Sequence, residues 1–139
     1  MKLLLRTISL LLVVSCAFSA TAFAETDLHA NIKKLLSTAM QDFYYHRIEG
    51  NESGYVIRRA DEGAANVALL TASGALPRSV WQSYIDSTLV YVNSISDFLD
   101  ACGAEGGNLL FLVVDDYNFD FILLAFYNGT LIYDYVPAE

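Results

Sequence analysis

The chain has 139 residues, enough for one domain, and carries 16 acidic against 8 basic residues for a net charge of −8. Without residues 1–24 the balance is 6 basic to 16 acidic, a net charge of −10, and from Arg78 onward one basic residue faces nine acidic ones. Phosphate binding needs clustered Lys and Arg, so nucleic acid and anionic membrane surfaces are excluded as natural partners, and the acidity reads mainly as a solubility device.

The N-terminus has the layout of an export signal. Lys2 and Arg6 give a positive start, Ile8 to Val14 an apolar run, and Ala22-Phe23-Ala24 a small-x-small cleavage site ahead of Glu25. The run is short, and its flanks small, for a membrane span, and an uncleaved anchor is the competing reading. The expectation is a signal peptide over 1–24, a single domain over 25–139, and a product that is periplasmic or secreted. Val13-Val14-Ser15-Cys16 resembles the lipobox of bacterial lipoproteins, which implies as the alternative a lipid anchor on Cys16 and a membrane location by that route alone. With Cys16 inside the leader, Cys102 is alone in the remaining chain, so no intrachain disulfide is expected. There is no C-x-x-C, no H-E-x-x-H and no zinc-spaced Cys/His set. No metal or cofactor is expected.

Thr26 to His46 reads as a helix: Leu28, Ile32, Leu35, Ala39 and Phe43 recur at spacings of three and four. The polar run Glu49 to Gly54 ends it. In Tyr55 to Ala72, Tyr55-Val56-Ile57 has strand composition. Val67 to Thr71 is read as its hairpin partner around Glu62-Gly63, and an Ala- and Leu-rich helix over Glu62 to Ala72 competes with that reading. Pro77 to Ala101 is the main helix, with Trp81, Ile85, Leu89, Val92, Ile95, Leu99 and Cys102 in one stripe. Pro77 suits its first turn, Ser79 and Gln82 have capping-box spacing, and Gly103 stops it.

A three-stranded meander follows: Leu109–Val114, Phe119–Tyr127 and Thr130–Val136. Asn128-Gly129 joins the last two and calls for a type I′ turn, which pairs Tyr127 with Thr130, Phe126 with Leu131, Leu124 with Tyr133 and Ile122 with Tyr135. Pairing Val114 with Phe119 extends the two faces to the first strand. One face then carries Phe111, Leu124, Phe126, Leu131, Tyr133 and Tyr135. The other carries Leu110, Leu112, Phe121, Leu123, Tyr127 and Ile132. Both are apolar, whereas a sheet wet on one side alternates. Two covers are expected: helices on opposite faces, or a second chain, most simply a two-fold homodimer.

The fold class expected is therefore α+β, two main helices on an antiparallel sheet ending in the meander. The order helix, hairpin, helix, meander resembles the profilin-like and roadblock-type α/β sandwiches and, more loosely, the PAS-like sensor domains. Cone-shaped helix-on-sheet domains of the nuclear-transport-factor kind offer a second analogy. The likeness is one of topology, and no functional residue is transferred with it.

Candidate chemistry is thin. His46, in Phe43-Tyr44-Tyr45-His46-Arg47, is titratable near neutrality, and at the expected helix C-terminus it reads first as a cap. Cys102 lies on an apolar stripe and reads as a buried thiol. Asp116-Tyr117-Asn118-Phe119-Asp120 begins like a calcium loop, but Phe121 and Tyr127 stand where a glycine and a glutamate are needed. The functional expectation is a non-enzymatic exported module that binds a protein partner or a small apolar ligand through Tyr127, Tyr133, Tyr135, Leu123 and Ile132, since aromatics with a polar tip favour interfaces and pockets. The alternative is a small exported hydrolase using His46 or Cys102.

Overall fold

A computed structural model describes residues 25–104 and 108–138. The export signal, its cleavage site and Cys16 lie outside the described residues. Three helices, α1 (Glu25–Ala39), α2 (Ala64–Ala72) and α3 (Arg78–Ala101), pack with five strands, β1 (Tyr45–Asn51), β2 (Gly54–Ala60), β3 (Asn108–Val114), β4 (Ile122–Tyr127) and β5 (Thr130–Asp134). The class is α+β, as composition and periodicity implied. No helix among the described residues is long and apolar enough to cross a membrane.

The strands lie in sequence order across one sheet, β1-β2-β3-β4-β5. The sheet is mixed rather than antiparallel. β2 and β3 run parallel, with Tyr55 beside Leu109 and Ile57 beside Phe111, and the other neighbours are antiparallel. A parallel neighbour requires a crossover, and α2 and α3 supply it.

α1 ends at Ala39, several residues before the periodicity predicts, because the chain from Tyr45 is drawn into an edge strand. The hairpin partner of Tyr55-Val56-Ile57 is thus β1, upstream, and not Val67–Thr71. Its turn is Glu52-Ser53, with the Ser53 N–H donating to Asn51 Oδ1 at 2.8 Å. Val67–Thr71 belongs to α2, where Ala and Leu follow their helix propensity. α3 runs as its stripe demands, with Trp81, Ile85, Val92, Ile95 and Leu99 buried. Its N-cap is Pro77, and no side chain caps it; Gln82 donates instead to Asp86, so the Ser79–Gln82 capping box does not form. At the other end Gly103 adopts φ 82°, and the Ala104 N–H donates to the Leu99 carbonyl at 3.0 Å, a Schellman closure.

The Asn128-Gly129 turn has both residues at positive φ, 48° and 80°, as a type I′ turn needs, and it pairs Tyr127 with Thr130 and Phe126 with Leu131. Two bulges then change the expected faces. β5 carries Ile132 as an extra residue, so Tyr133 pairs with Ala125 and Asp134 with Leu124. β4 carries Leu123 as an extra residue, so Val114 pairs with Ile122 rather than Leu123, and the β3–β4 register as a whole sits four residues from the expected one, with Val113 against Leu124 and not Asp120. Each one-residue insertion moves the side chains beyond it to the opposite face.

All three helices contribute to a single core with Ile57, Phe111, Val113, Leu124 and Phe126. The expectation of helices on opposite faces is therefore corrected. The second face has its own small cluster, Ala60, Leu112, Val114 and Ala125, with no helical residue in it. One end of that face is roofed by the chain itself: the 115–121 loop returns across it, stacking Phe119 on Tyr45 at 3.9 Å and placing its carbonyl 3.3 Å from Arg58 Nη1.

Candidate functional site

Among the described residues, two surfaces stand out as places where another molecule can sit. The first is a cleft of about 590 Å³ on the helix side, at the end of the sheet where β1 begins and β2 stops. Strand alternation puts Arg59 on the same face as Tyr55 and Ile57, pointing under the helices. Arg59 is 4% exposed. Its Nη2 donates to Asp61 Oδ2 at 2.7 Å and lies 3.4 Å from Thr88 Oγ1 of α3. The same carboxylate oxygen accepts from the Tyr84 hydroxyl at 2.5 Å. Around the guanidinium stand three rings, Phe43 at 4.6 Å, Tyr91 at 5.1 Å and Phe111 at 5.4 Å, a cation–π setting. Asp42 and Tyr44, from the α1–β1 connection, and Glu62, just past β2, line the mouth.

Burial works against the Arg59 charge, but Asp61 and the tyrosine hydroxyls outweigh it and hold the guanidinium above its ordinary pKa. Burial raises the Tyr84 phenol, and the nearby Asp61 adds to that against the opposing pull of Arg59. The cleft therefore holds a charged pair with a neutral phenol beside it. One donor is left over: Arg59 Nε is buried and finds no acceptor among the described residues.

The polar centre of this network, Arg59 with Asp61 and Thr88, was not singled out from the sequence. The available signal was the period-2 continuation of Tyr55-Val56-Ile57 through Arg58 to Arg59, which placed a cation on the buried face of a strand. The convergence of three distant segments on it carried no sequence mark.

The second place is the open face of the sheet. Beyond the 115–121 roof, Val56, Leu110, Tyr127 and Thr130 lie in one cross-strand row, and Arg58, Leu112, Ala125 and Tyr133 in the next. Val56 and Leu110 are half-buried, and Tyr127 and Tyr133 are 42% and 45% exposed. Two of the residues expected to bind a partner, Tyr127 and Tyr133, thus share this face, and Ile132 stands at its β5 edge, exposed. The other two do not join them. Leu123 is buried in the helix-side core by its bulge, and Tyr135 packs against that core and against Phe121 at 5.5 Å.

The remaining candidates are apart. His46 sits on β1, not at a helix end, and its Nε2 is 2.9 Å from Ser37 Oγ on the exposed surface; no carboxylate among the described residues bonds its other nitrogen. Burial pushes the Cys102 thiol above its usual pKa, away from the thiolate a nucleophile needs. Its neighbour in charge is the Tyr55 phenol, whose hydroxyl meets His29 Nδ1. In the would-be calcium loop, Asp115 Oδ1 accepts from Tyr117 N, Asn118 Oδ1 accepts from Asp120 N, and Asp116 Oδ2 accepts from Gly63 N ahead of α2. These carboxylate and amide oxygens tie the loop down, and among the described residues no group of side chains is arranged to hold a metal ion. No family model, curated protein or solved structure matches the chain, so a functional reading rests on these two surfaces.

Proposed function

We propose that this chain is an exported, non-enzymatic binding module that docks a protein on its open sheet face and β5 edge, the occupant being a second copy of itself. One observation carries the reading: the sheet has a face without helices, and its exposed surface is apolar and uncharged where it meets β5. From Thr130 to Tyr133 that edge has no ionisable group but one tyrosine, whereas the opposite edge, β1, alternates Arg47 and Glu49 outward. Charged side chains protect edge strands from pairing, and β5 lacks them from Thr130 to Tyr133, its only carboxylate being Asp134 at the end, held by Arg78. In a chain of net charge −10 without its leader, this is where two copies can approach without setting carboxylate against carboxylate.

The energetics favour a weak dimer. Val56, Leu110, Tyr127, Leu131, Ile132 and Tyr133 are already partly covered, so burying the rest yields about 1 kcal/mol per side chain, on the order of 10 kcal/mol for two copies. Association itself costs a comparable amount. Sedimentation of the purified chain is expected to show a monomer–dimer equilibrium that Ile132→Lys abolishes without changing the far-UV spectrum. A chain that stays monomeric at millimolar concentration would remove the second copy as occupant and leave the face to a different protein.

Export rests on Lys2, Arg6, the apolar run and the Ala22-Phe23-Ala24 site. An intact mass beginning at Glu25 supports it, and a lipidated mass beginning at Cys16 moves the protein to a membrane. The order helix, hairpin, helix pair, meander is what supports kinship with profilin-like or roadblock-type sandwiches, and no activity comes with it. Nothing around His46 or Cys102 among the described residues supports the hydrolase reading.

A further inference from the structure

The Arg59 cleft is separate from the open face, and its chemistry selects a ligand. Three carboxylates, Asp42, Asp61 and Glu62, share it with one guanidinium. Asp61 is committed to Arg59 and Tyr84, while Asp42 and Glu62 take part in no ion pair among the described residues. A simple anion would meet this excess of negative charge. A simple cation would suit the mouth and the flanking rings of Tyr44 and Tyr84, but it would leave the buried Arg59 Nε without an acceptor. Buried donors in native proteins have partners, and one that lacks a protein acceptor calls for another source. A molecule bearing both charges answers both needs.

We propose that the cleft binds a small zwitterion of the amino-acid type, its carboxylate directed at Arg59 on the floor and its ammonium at Asp42 and Glu62 at the mouth. The cavity of about 590 Å³ is within the size range of small-ligand pockets, and its aromatic walls favour an apolar or aromatic side chain. The parts have distinct tasks. Arg59 is held rigid by Asp61, Thr88 and three rings, so it is pre-organised to receive a carboxylate. Asp42 and Glu62 are exposed, and they discriminate the ammonium from an uncharged end.

Three ligands with one skeleton test this on the unmodified chain: phenylalanine, phenethylamine, which lacks the carboxylate, and 3-phenylpropionate, which lacks the ammonium. Calorimetry is expected to show saturable phenylalanine binding at least roughly tenfold tighter than either of the others, and the paired change Asp42→Asn with Glu62→Gln is expected to weaken it roughly tenfold. Arg59→Met, if it folds, should bring phenylalanine down to the affinity of the amine. Phenethylamine binding as tightly as phenylalanine would remove Arg59 from recognition and overturn the proposal. So would 3-phenylpropionate binding as tightly, the absence of any saturable binding, or indifference to the Asp42 and Glu62 changes.

Discussion

Tyr55 shows how much one side chain on the buried face of β2 can set. Its ring occupies the space that a side chain on Gly50 would need; a Cβ there would lie 2.2 Å from it, so the opposite strand position must be glycine. Its hydroxyl faces His29 of α1, and burial, with a smaller contribution from Cys102, pushes its pKa from 10 to about 12. The sign of the consequence follows from proton counting. The unfolded chain loses this proton near pH 10 and the folded chain keeps it to about 12, so stability is intact below 10 and falls between 10 and 12. Urea unfolding of Tyr55→Phe should therefore be flatter than the parent over that window; equal slopes would mean that Tyr55 is not the group responsible. Tyr84, raised by burial in the same direction, adds to the alkaline loss that remains. At this scale the sequence was least legible. Arg59 looked like one more basic residue beside Arg58, and only alternation separated the exposed cation from the buried one.

At the scale of elements, legibility tracked length. α3 was readable from end to end because its apolar stripe persists for 24 residues, long enough to outweigh the strand-like Thr88–Val92. α2 has nine residues, too few for periodicity to separate helix from strand. β1 alternates half-buried with exposed positions and carries Arg47 and Glu49, so it lacks the apolar run by which strands are recognised. The two bulges left no mark at all, and they alone moved Leu123 into the core and Tyr133 out of it. The end of β5 is fixed instead by Asp134. Its Oδ1 accepts from Trp81 Nε1 at 2.8 Å and Val136 N at 2.9 Å, and its Oδ2 from Arg78 Nη2 at 2.5 Å. Asp134→Ala leaves the fully buried Trp81 indole and a half-buried guanidinium without this acceptor. It should cost about 3 kcal/mol in urea and shift the tryptophan emission, with Asp134→Asn recovering part of both. A loss below 0.5 kcal/mol would show that the cluster does not anchor the strand.

For the whole molecule, the α+β class and the C-terminal meander were legible, while the layering was not. Two apolar sheet faces suggested either helices on both or a second chain on one. The chain instead puts its three described helices on one side, roofs part of the other with the 115–121 loop, and leaves the rest open. Loops that double back over a sheet end follow from contacts such as Tyr45 with Phe119, which are 74 residues apart in sequence and have no local signature.

The parallel seam between β2 and β3 has a consequence for how the protein reaches this state. Each half of the sheet, the β1–β2 hairpin and the β3–β5 meander, is assembled from near neighbours, but the halves meet only after the chain from Ala60 to Asn108 has closed on itself. That closure costs entropy before any seam contact repays it, so the seam belongs in the rate-limiting step of refolding. Stopped-flow measurements should find that Ile57→Val, at the seam, slows refolding severalfold and leaves unfolding nearly unchanged, while Leu131→Ala, at the far edge, chiefly accelerates unfolding. The opposite pattern would place the meander, not the seam, at the barrier. On the expected pattern, the two half-sheets exist for a time as separate bodies, each with an unpaired inner strand.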